Sequence, residues 1–111
     1  METVIVLNNA TMGHGNDELG AKLRVNFFRT LLGIETKPDA IVFYNAAVRL
    51  LVAESPVLEA LRQLEDGGVD LLACVTCLEF FGIEHNLTVG QVSNMREIVG
   101  RLMKAAKVVT I

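Results

Sequence analysis

The chain's two cysteines, Cys74 and Cys77, stand three positions apart. On a helix that spacing is about one turn, so the two thiols come within reach of each other. A disulfide closing so short a loop constrains the unfolded chain little, which argues against a structural staple. In a cytosolic chain, close cysteines more often serve metal or thiol chemistry. Four readings follow. Both thiols can be buried as small hydrophobes, since cysteine is among the most buried residue types. They can form a dithiol redox switch, although the pair follows a third strand and the chain has no tryptophan, unlike the thioredoxin context. They can bind zinc, but only with help from two isolated histidines, His14 and His85. Finally, Cys74 can take up sulfane sulfur as a persulfide, which Cys77 releases as a disulfide forms.

Position favours thiol chemistry. Cys74 falls at the carboxyl end of an expected strand, and the residues after it turn into a short helix. A thiol there faces unpaired backbone N–H groups and the positive end of the helix dipole, which favour thiolate. His14 lies in the glycine-flanked run Thr11-Met12-Gly13-His14-Gly15, where it can stabilise a thiolate or simply sit in a solvated turn. Asn45 ends the second strand. Arg49 follows it and can bind an anionic donor or pair with Glu54 at the surface. His85 is given no role. Gly13-x-Gly15 lacks the third glycine of a dinucleotide fingerprint, so no nucleotide is expected. No metal and no cofactor are expected.

The elements that must position these residues alternate between two periods. Thr3–Leu7 is apolar without polar alternation, as in a strand covered on both faces. A polar loop, Asn8 to Asn16, leads to a helix over about Asp17–Leu32, with Asn16 or Asp17 as cap and Gly33 as stop. Its apolar stripe is Leu19, Leu23, Phe27, Phe28, Leu31 and Leu32. Ala40–Tyr44 is a second strand, followed by a loop over Asn45–Glu54. Ser55-Pro56 signals a second helix, running to about Asp66 with Leu58, Leu61 and Leu64 inward and stopped by Gly67-Gly68. Val69–Ala73 is a third strand, and Cys77–Phe81 forms a turn or two of helix ended by Gly82. Ile83–Gln91 is ambiguous, with room for a short extended piece. A last helix starts at Ser93 or Asn94, with Ile98, Val99, Leu102 and Met103 on one face, and Lys107–Ile111 is a final strand.

This order predicts an α/β domain: a three-layer α/β/α sandwich with a mostly parallel sheet of four to five strands. In such sheets, chemistry sits outside the carboxyl ends of the strands. That edge collects the loops Asn8–Asn16, Asn45–Glu54 and Cys74–Glu79.

Composition limits the function classes. With 111 residues the chain makes one domain, residues 1–111. Mean hydropathy is +0.42, yet no stretch reaches the roughly 18 apolar residues of a membrane span. The opening Met1-Glu2-Thr3 is unlike a signal peptide, so a cytoplasmic location is expected. Net charge is −3 and the basic residues are scattered, which argues against direct nucleic-acid binding. Extra apolar surface buried between subunits makes a homo-oligomer the expected state.

Several segments, taken in order, resemble one family. They are Gly13-His14-Gly15-Asn16-Asp17-Glu18-Leu19-Gly20, then Asn45 with Val48-Arg49-Leu50, Gly67-Gly68, Cys74-Val75-Thr76-Cys77-Leu78, Val89-Gly90 and Asn94-Met95. Together they resemble the DsrE/DsrF-like family, and most of all the C-terminal domain of YedF-type, selenium-metabolism-associated proteins. The resemblance implies a flavodoxin-like fold, often in homo-oligomers, and sulfurtransferase-like chemistry on a cysteine at the position of Cys74. Cys77 belongs to the YedF-like pattern. It implies a sulfur relay between donor and acceptor proteins, with Cys74 and Cys77 as the reacting thiols and His14, Asn45 and Arg49 around them. Two features depart from the family pattern, Val75 where glycine is usual and Ala46-Ala47 in place of a small residue and glycine, and no TusA-like region is expected before the domain. A TusA-like partner is therefore expected on another chain. The alternatives remain a non-catalytic oligomeric interaction subunit with buried cysteines, or a Cys74–Cys77 redox switch.

Overall fold

The apolar, β-branched runs become the inner strands of one sheet. In the computed structural model, which describes residues 2–111, β1 (Thr3–Leu7), β2 (Ala40–Phe43) and β3 (Asp70–Cys74) lie side by side. Two short strands, β4 (Gln91–Ser93) and β5 (Lys107–Thr110), close the edges. The order is β4-β3-β2-β1-β5, and every pairing is parallel. In-register partners share a face: Ile5, Ile41 and Leu71 point one way, Val6, Val42 and Leu72 the other.

Both faces are covered, which is why the inner strands show no polar alternation. On one face Ile5, Leu7, Ile41, Phe43 and Leu71 pack with Phe28 and Leu31 of α1 (Asp17–Gly33) and Leu61 and Leu64 of α2 (Leu58–Asp66). On the other, Val4, Val6, Val42, Leu72 and Cys74 pack with Ile98 of α4 (Met95–Lys104). The short α3 (Val75–Phe80) follows β3 and sends Leu78 into the first of these layers. The result is the expected three-layer α/β/α, flavodoxin-like sandwich, with five strands. Asn16 and Asn94 cap α1 and α4, accepting from the Leu19 and Glu97 amides at 2.9 Å each.

Four local expectations are corrected. The inward line of α1 is Gly20, Arg24, Phe28 and Leu31, while Leu19 and Leu23 face out. The cause is the first loop, which folds back over the helix. The Met12 amide donates to the Gly20 carbonyl at 3.1 Å, and a Cβ on Gly20 would lie 2.8 Å from Thr11 Cβ. The loop after β2 is an ordered 3₁₀ helix over Asn45–Leu51, because Ala47, Val48, Leu50 and Leu51 are all drawn into the core. Ser55-Pro56 opens a turn rather than the helix itself: Ser55 Oγ accepts from the Val57 amide, and helical structure starts at Leu58. On α4, Ile98 is buried and Leu102 half-buried, but Val99 and Met103 are exposed.

Within the ambiguous stretch, Leu87 makes an isolated antiparallel bridge to Val52, and β4 begins at the last residue, Gln91. Arg101 ties α4 to the amino edge of the sheet through Glu2 at 2.8 Å and Asp70 at 3.1 Å. The carboxyl edge is left to the loops.

Candidate functional site

At the carboxyl edge, β3 ends on Cys74 and α3 starts at the next residue. Cys74 occupies the cap position, yet its thiol makes no capping hydrogen bond. The expected contact with the helix amides is therefore not made. Because Cys74 pairs with Ser93 on β4 and points toward α4, its side chain joins the layer of Val42, Leu72 and Ile98 and is 1% exposed.

Cys77 lies one turn later and half-buried, packing against both hydrophobic layers. Both thiols are free. Cys77 lines a cavity of about 250 Å³ together with Asn45, Thr76, Phe80 and Phe81. Its Sγ accepts a hydrogen bond from the Asn45 amide at 3.0 Å. Asn45 reaches it through a left-handed backbone, φ 53°, a conformation that asparagine tolerates better than most residues. Its side chain is turned back on its own backbone, with Oδ1 accepting from the Ala46 amide at 2.8 Å. Asn45 thus meets the thiol through the main chain, not the side chain. Burial pushes the Cys77 thiol above its ordinary pKa. The Asn45 N–H opposes that rise, and the neighbouring Cys74 thiol adds to it through hydrogen bonding and charge.

Arg49, in the 3₁₀ helix, lays its guanidinium over the Phe81 ring, 4.1 Å from the centroid. Phe80 stands edge-on to Phe81 and is 83% exposed. Thr76, Phe80 and Phe81 are site residues that sequence reasoning did not single out. The signal was present: two adjacent aromatics, Phe80 and Phe81, close a six-residue helix that can bury only one side.

The structure brings Cys74, Cys77, Asn45 and Arg49 together and leaves His14 apart. His14 is exposed and lines a different cavity, of about 360 Å³, with Asn8, Asn9, Thr11, Gly13 and Ile111. His85 is exposed beside Glu84. Among the described residues, no three of His, Cys, Asp and Glu gather where they could hold a metal ion. Beside α1, a cavity of about 310 Å³ lined by residues such as Met12, Leu23 and Phe27 has no cysteine, histidine or charged residue in its lining.

Arg24, also missed from sequence, is 1% exposed beneath the first loop. Its Nη2 donates to the carbonyls of Asn9 at 2.8 Å and Thr11 at 3.0 Å, while Nε and Nη1 find no partner among the described residues. Desolvation lowers its pKa. It holds the loop against the helix. Its spacing of four from both Gly20 and Phe28 places it on the inner line of α1.

A parallel five-stranded sheet carrying a thiol pair at the carboxyl end of an inner strand defines the class to which this molecule belongs. The DsrE/DsrF-like family profile matches residues 3–111, and the chain belongs to that family. The family is associated with sulfur relay. The fold is similar to that of the YchN protein from E. coli, with a TM-score of 0.67, 18% identity and full coverage of both chains. It is also similar to a protein of unknown function, MTH1491, from Methanobacterium thermoautotrophicum: TM-score 0.71, 22% identity, 99% of this chain and 98% of that one. A third similar structure is the conserved protein of unknown function BT1422 from Bacteroides thetaiotaomicron, with TM-score 0.62, 19% identity, and 99% and 95% coverage. At such identities the likeness concerns the fold. No curated protein matches the sequence. No helix among the described residues is long and apolar enough to cross a membrane.

Proposed function

We propose that this chain is a cytoplasmic sulfur carrier that holds sulfane sulfur as a persulfide on Cys74 and relays it between a donor and an acceptor protein. The observation that carries this reading is the pairing of two free thiols at the carboxyl end of β3, one sealed in the core and one lining a cavity. A persulfide is easily lost to solvent nucleophiles, so a holder benefits from burial. Release benefits from a second thiol within reach. Arg49, fixed on Phe81 near the cavity, supplies positive charge for an anionic donor. His14 has no part in this reading. The domain acts as a homo-oligomer, in keeping with its exposed Leu19, Met95 and Met103, and sedimentation should give a multiple of 12.1 kDa.

The test is intact mass after incubation with a sulfane-sulfur donor. A reducible gain of one sulfur, absent from the Cys74→Ser/Cys77→Ser double variant, supports the carrier. No gain where a known carrier loads would refute it. A loss of two hydrogens needing both cysteines would instead favour a redox switch, a reading supported by the influence of Cys74 on the Cys77 thiol.

A further inference from the structure

We infer that Cys77 is the port through which sulfur enters and that Cys74 receives it only from Cys77, the substrate being a persulfide, R–S–SH, of low molecular weight. This rests on the carrier reading above and deepens it, with a small persulfide in place of the donor protein. Thiol–disulfide displacement needs the attacking sulfur, the attacked sulfur and the leaving sulfur nearly in line, so the nucleophile must be approachable from outside. Cys74 is not: it is 1% exposed and packed among Leu72, Val42 and Ile98. Cys77 is approachable, because its cavity opens between Asn45, Thr76 and the two phenylalanines. At about 250 Å³ the cavity takes the reactive end of a small thiol rather than a folded element.

The Asn45 amide completes the argument. Held at 3.0 Å from Cys77 Sγ, it stabilises negative charge on that sulfur. Such charge arises twice in the sequence below, once on the attacking thiolate and once on the leaving group. Among the described residues, no backbone amide donates to Cys74, whose thiol makes no capping bond.

The steps balance without an oxidant. The Cys77 thiolate attacks the terminal sulfur of R–S–SH. The donor's S–S bond breaks, a new one forms on Cys77, and the electron pair leaves on R–S⁻. R–S⁻ takes up a proton in the cavity and Cys74 gives one up across its contact with the Cys77 side chain, so no net proton is gained or lost. The Cys74 thiolate then attacks the terminal sulfur of the Cys77 persulfide. The second S–S bond breaks, the persulfide now stands on Cys74, and the charge returns to Cys77 beneath the Asn45 N–H. The sum is R–S–SH plus a protein thiol giving R–SH plus a protein persulfide.

Glutathione persulfide is the probe. Wild type, Cys74→Ser and Cys77→Ser would be loaded for varied times, then alkylated and mapped by tandem mass spectrometry, with a cyanide chase. Wild type is expected to carry the sulfur on Cys74 and to resist cyanide. Cys74→Ser should load as fast as wild type, on Cys77, and lose the sulfur to cyanide at least about tenfold faster. Cys77→Ser should load at least about tenfold slower, the Cys74 thiol now depending on local opening. Because Cys77→Ser could perturb packing, the wild-type map and chase stand as a separate criterion. Equal loading of Cys77→Ser and wild type overturns the entry role, as does a wild-type sulfur that stays on Cys77. Loading of wild type by a protein-bound persulfide but not by glutathione persulfide overturns the substrate class alone. No loading of wild type by either donor overturns the carrier reading itself.

Discussion

Alkylation of the two thiols in the native protein separates their environments most directly. Cys74 Sγ is sealed by the rung to Ser93, by Ile98 of α4 and by Leu72 and Val42 of the sheet. A reagent can reach it only when that packing opens. Sub-global openings in a domain cost anything from nearly nothing at frayed ends to the full stability of about 5–15 kcal/mol in core strands. β3 is an inner strand, but its last residue borders the short edge strand β4, so the cost lies between those limits. Taking about 2.8 kcal/mol as the least that such a buried rung requires, Cys74 reacts at least about 100-fold more slowly than it would if open. Cys77 pays no such opening cost, though its raised pKa reduces the thiolate available at neutral pH. The assay is timed iodoacetamide quenching followed by peptide mapping of wild type, with Cys77→Ser to isolate Cys74 and Cys74→Ser to isolate Cys77. The expected order is Cys77 well ahead of Cys74, with both equal in denaturant. If Cys74 in Cys77→Ser reacts within about tenfold of Cys77 in Cys74→Ser, the buried placement of Cys74 is wrong, and the argument for a sheltered holder falls with it.

Further expectations follow from single atoms. The rate of Cys77 alkylation should rise with pH to a midpoint above the ordinary thiol range, and Cys74→Ser should lower that midpoint by removing two of the raising influences while leaving burial in place. Because the native thiol keeps its proton at pH values where the unfolded one has lost it, stability should fall as pH rises from the unfolded pKa toward the native one, as urea melts across alkaline pH would show. Gly100→Ala, in open space on α4, should stabilise by about 1 kcal/mol, raising the melting temperature by about 4 °C. Gly20→Ala should do the reverse despite the same helical gain, losing about 1–2 kcal/mol, because the new methyl meets Thr11 Cβ at 2.8 Å and the Met12 backbone; equal stabilisation by both would refute the packing of the first loop on α1. Asn45→Val should cost about 1–2 kcal/mol through its left-handed backbone, while Asn45→Gly should cost far less by the same urea midpoints.

Much of the architecture was legible because buried parallel strands announce themselves. Val4–Leu7, Ala40–Phe43 and Leu71–Ala73 are apolar throughout, and only two-sided burial explains that. Helix ends carrying a side-chain cap were also readable, as Asn16 and Asn94 show. The inner face of α1 was not, because the rule that apolar spacing marks the core assumes that the core is what the helix meets. Here the helix meets a polar loop as well, and loop carbonyls need a donor, so Gly20 and Arg24 displace Leu19 and Leu23. The 3₁₀ helix escaped for a related reason: Asn45–Leu51 is too short to show a period, and its four buried residues are recognised only once a sheet lies beneath them.

The same limit applies to the site, and it bears on how the thiols divide their work. Sequence spacing puts Cys74 and Cys77 one turn apart but is silent on which one faces out. Strand parity decides it. Residues alternate along β3, so Leu71 and Ala73 face α1 and α2 while Leu72 and Cys74 face α4. Cys74 is therefore committed to the layer beneath α4 before α3 begins. Three residues of helix then carry Cys77 to the rim of both layers and to the cavity, where the left-handed turn at Asn45 aims an amide at its sulfur. A cysteine on the first turn of a helix is ordinarily the more reactive of such a pair, through the amides it faces. In this chain the strand takes that thiol into the core, and the neighbouring loop turns one amide toward the second, whose pKa burial nonetheless raises. A one-residue insertion after Ala73 that reset strand parity would turn the thiol now in the core toward the opposite layer. That layer is covered as well, so thiol labelling of the variant should still find the moved cysteine slow, and a fast one would refute the assignment of both faces of β3 as core.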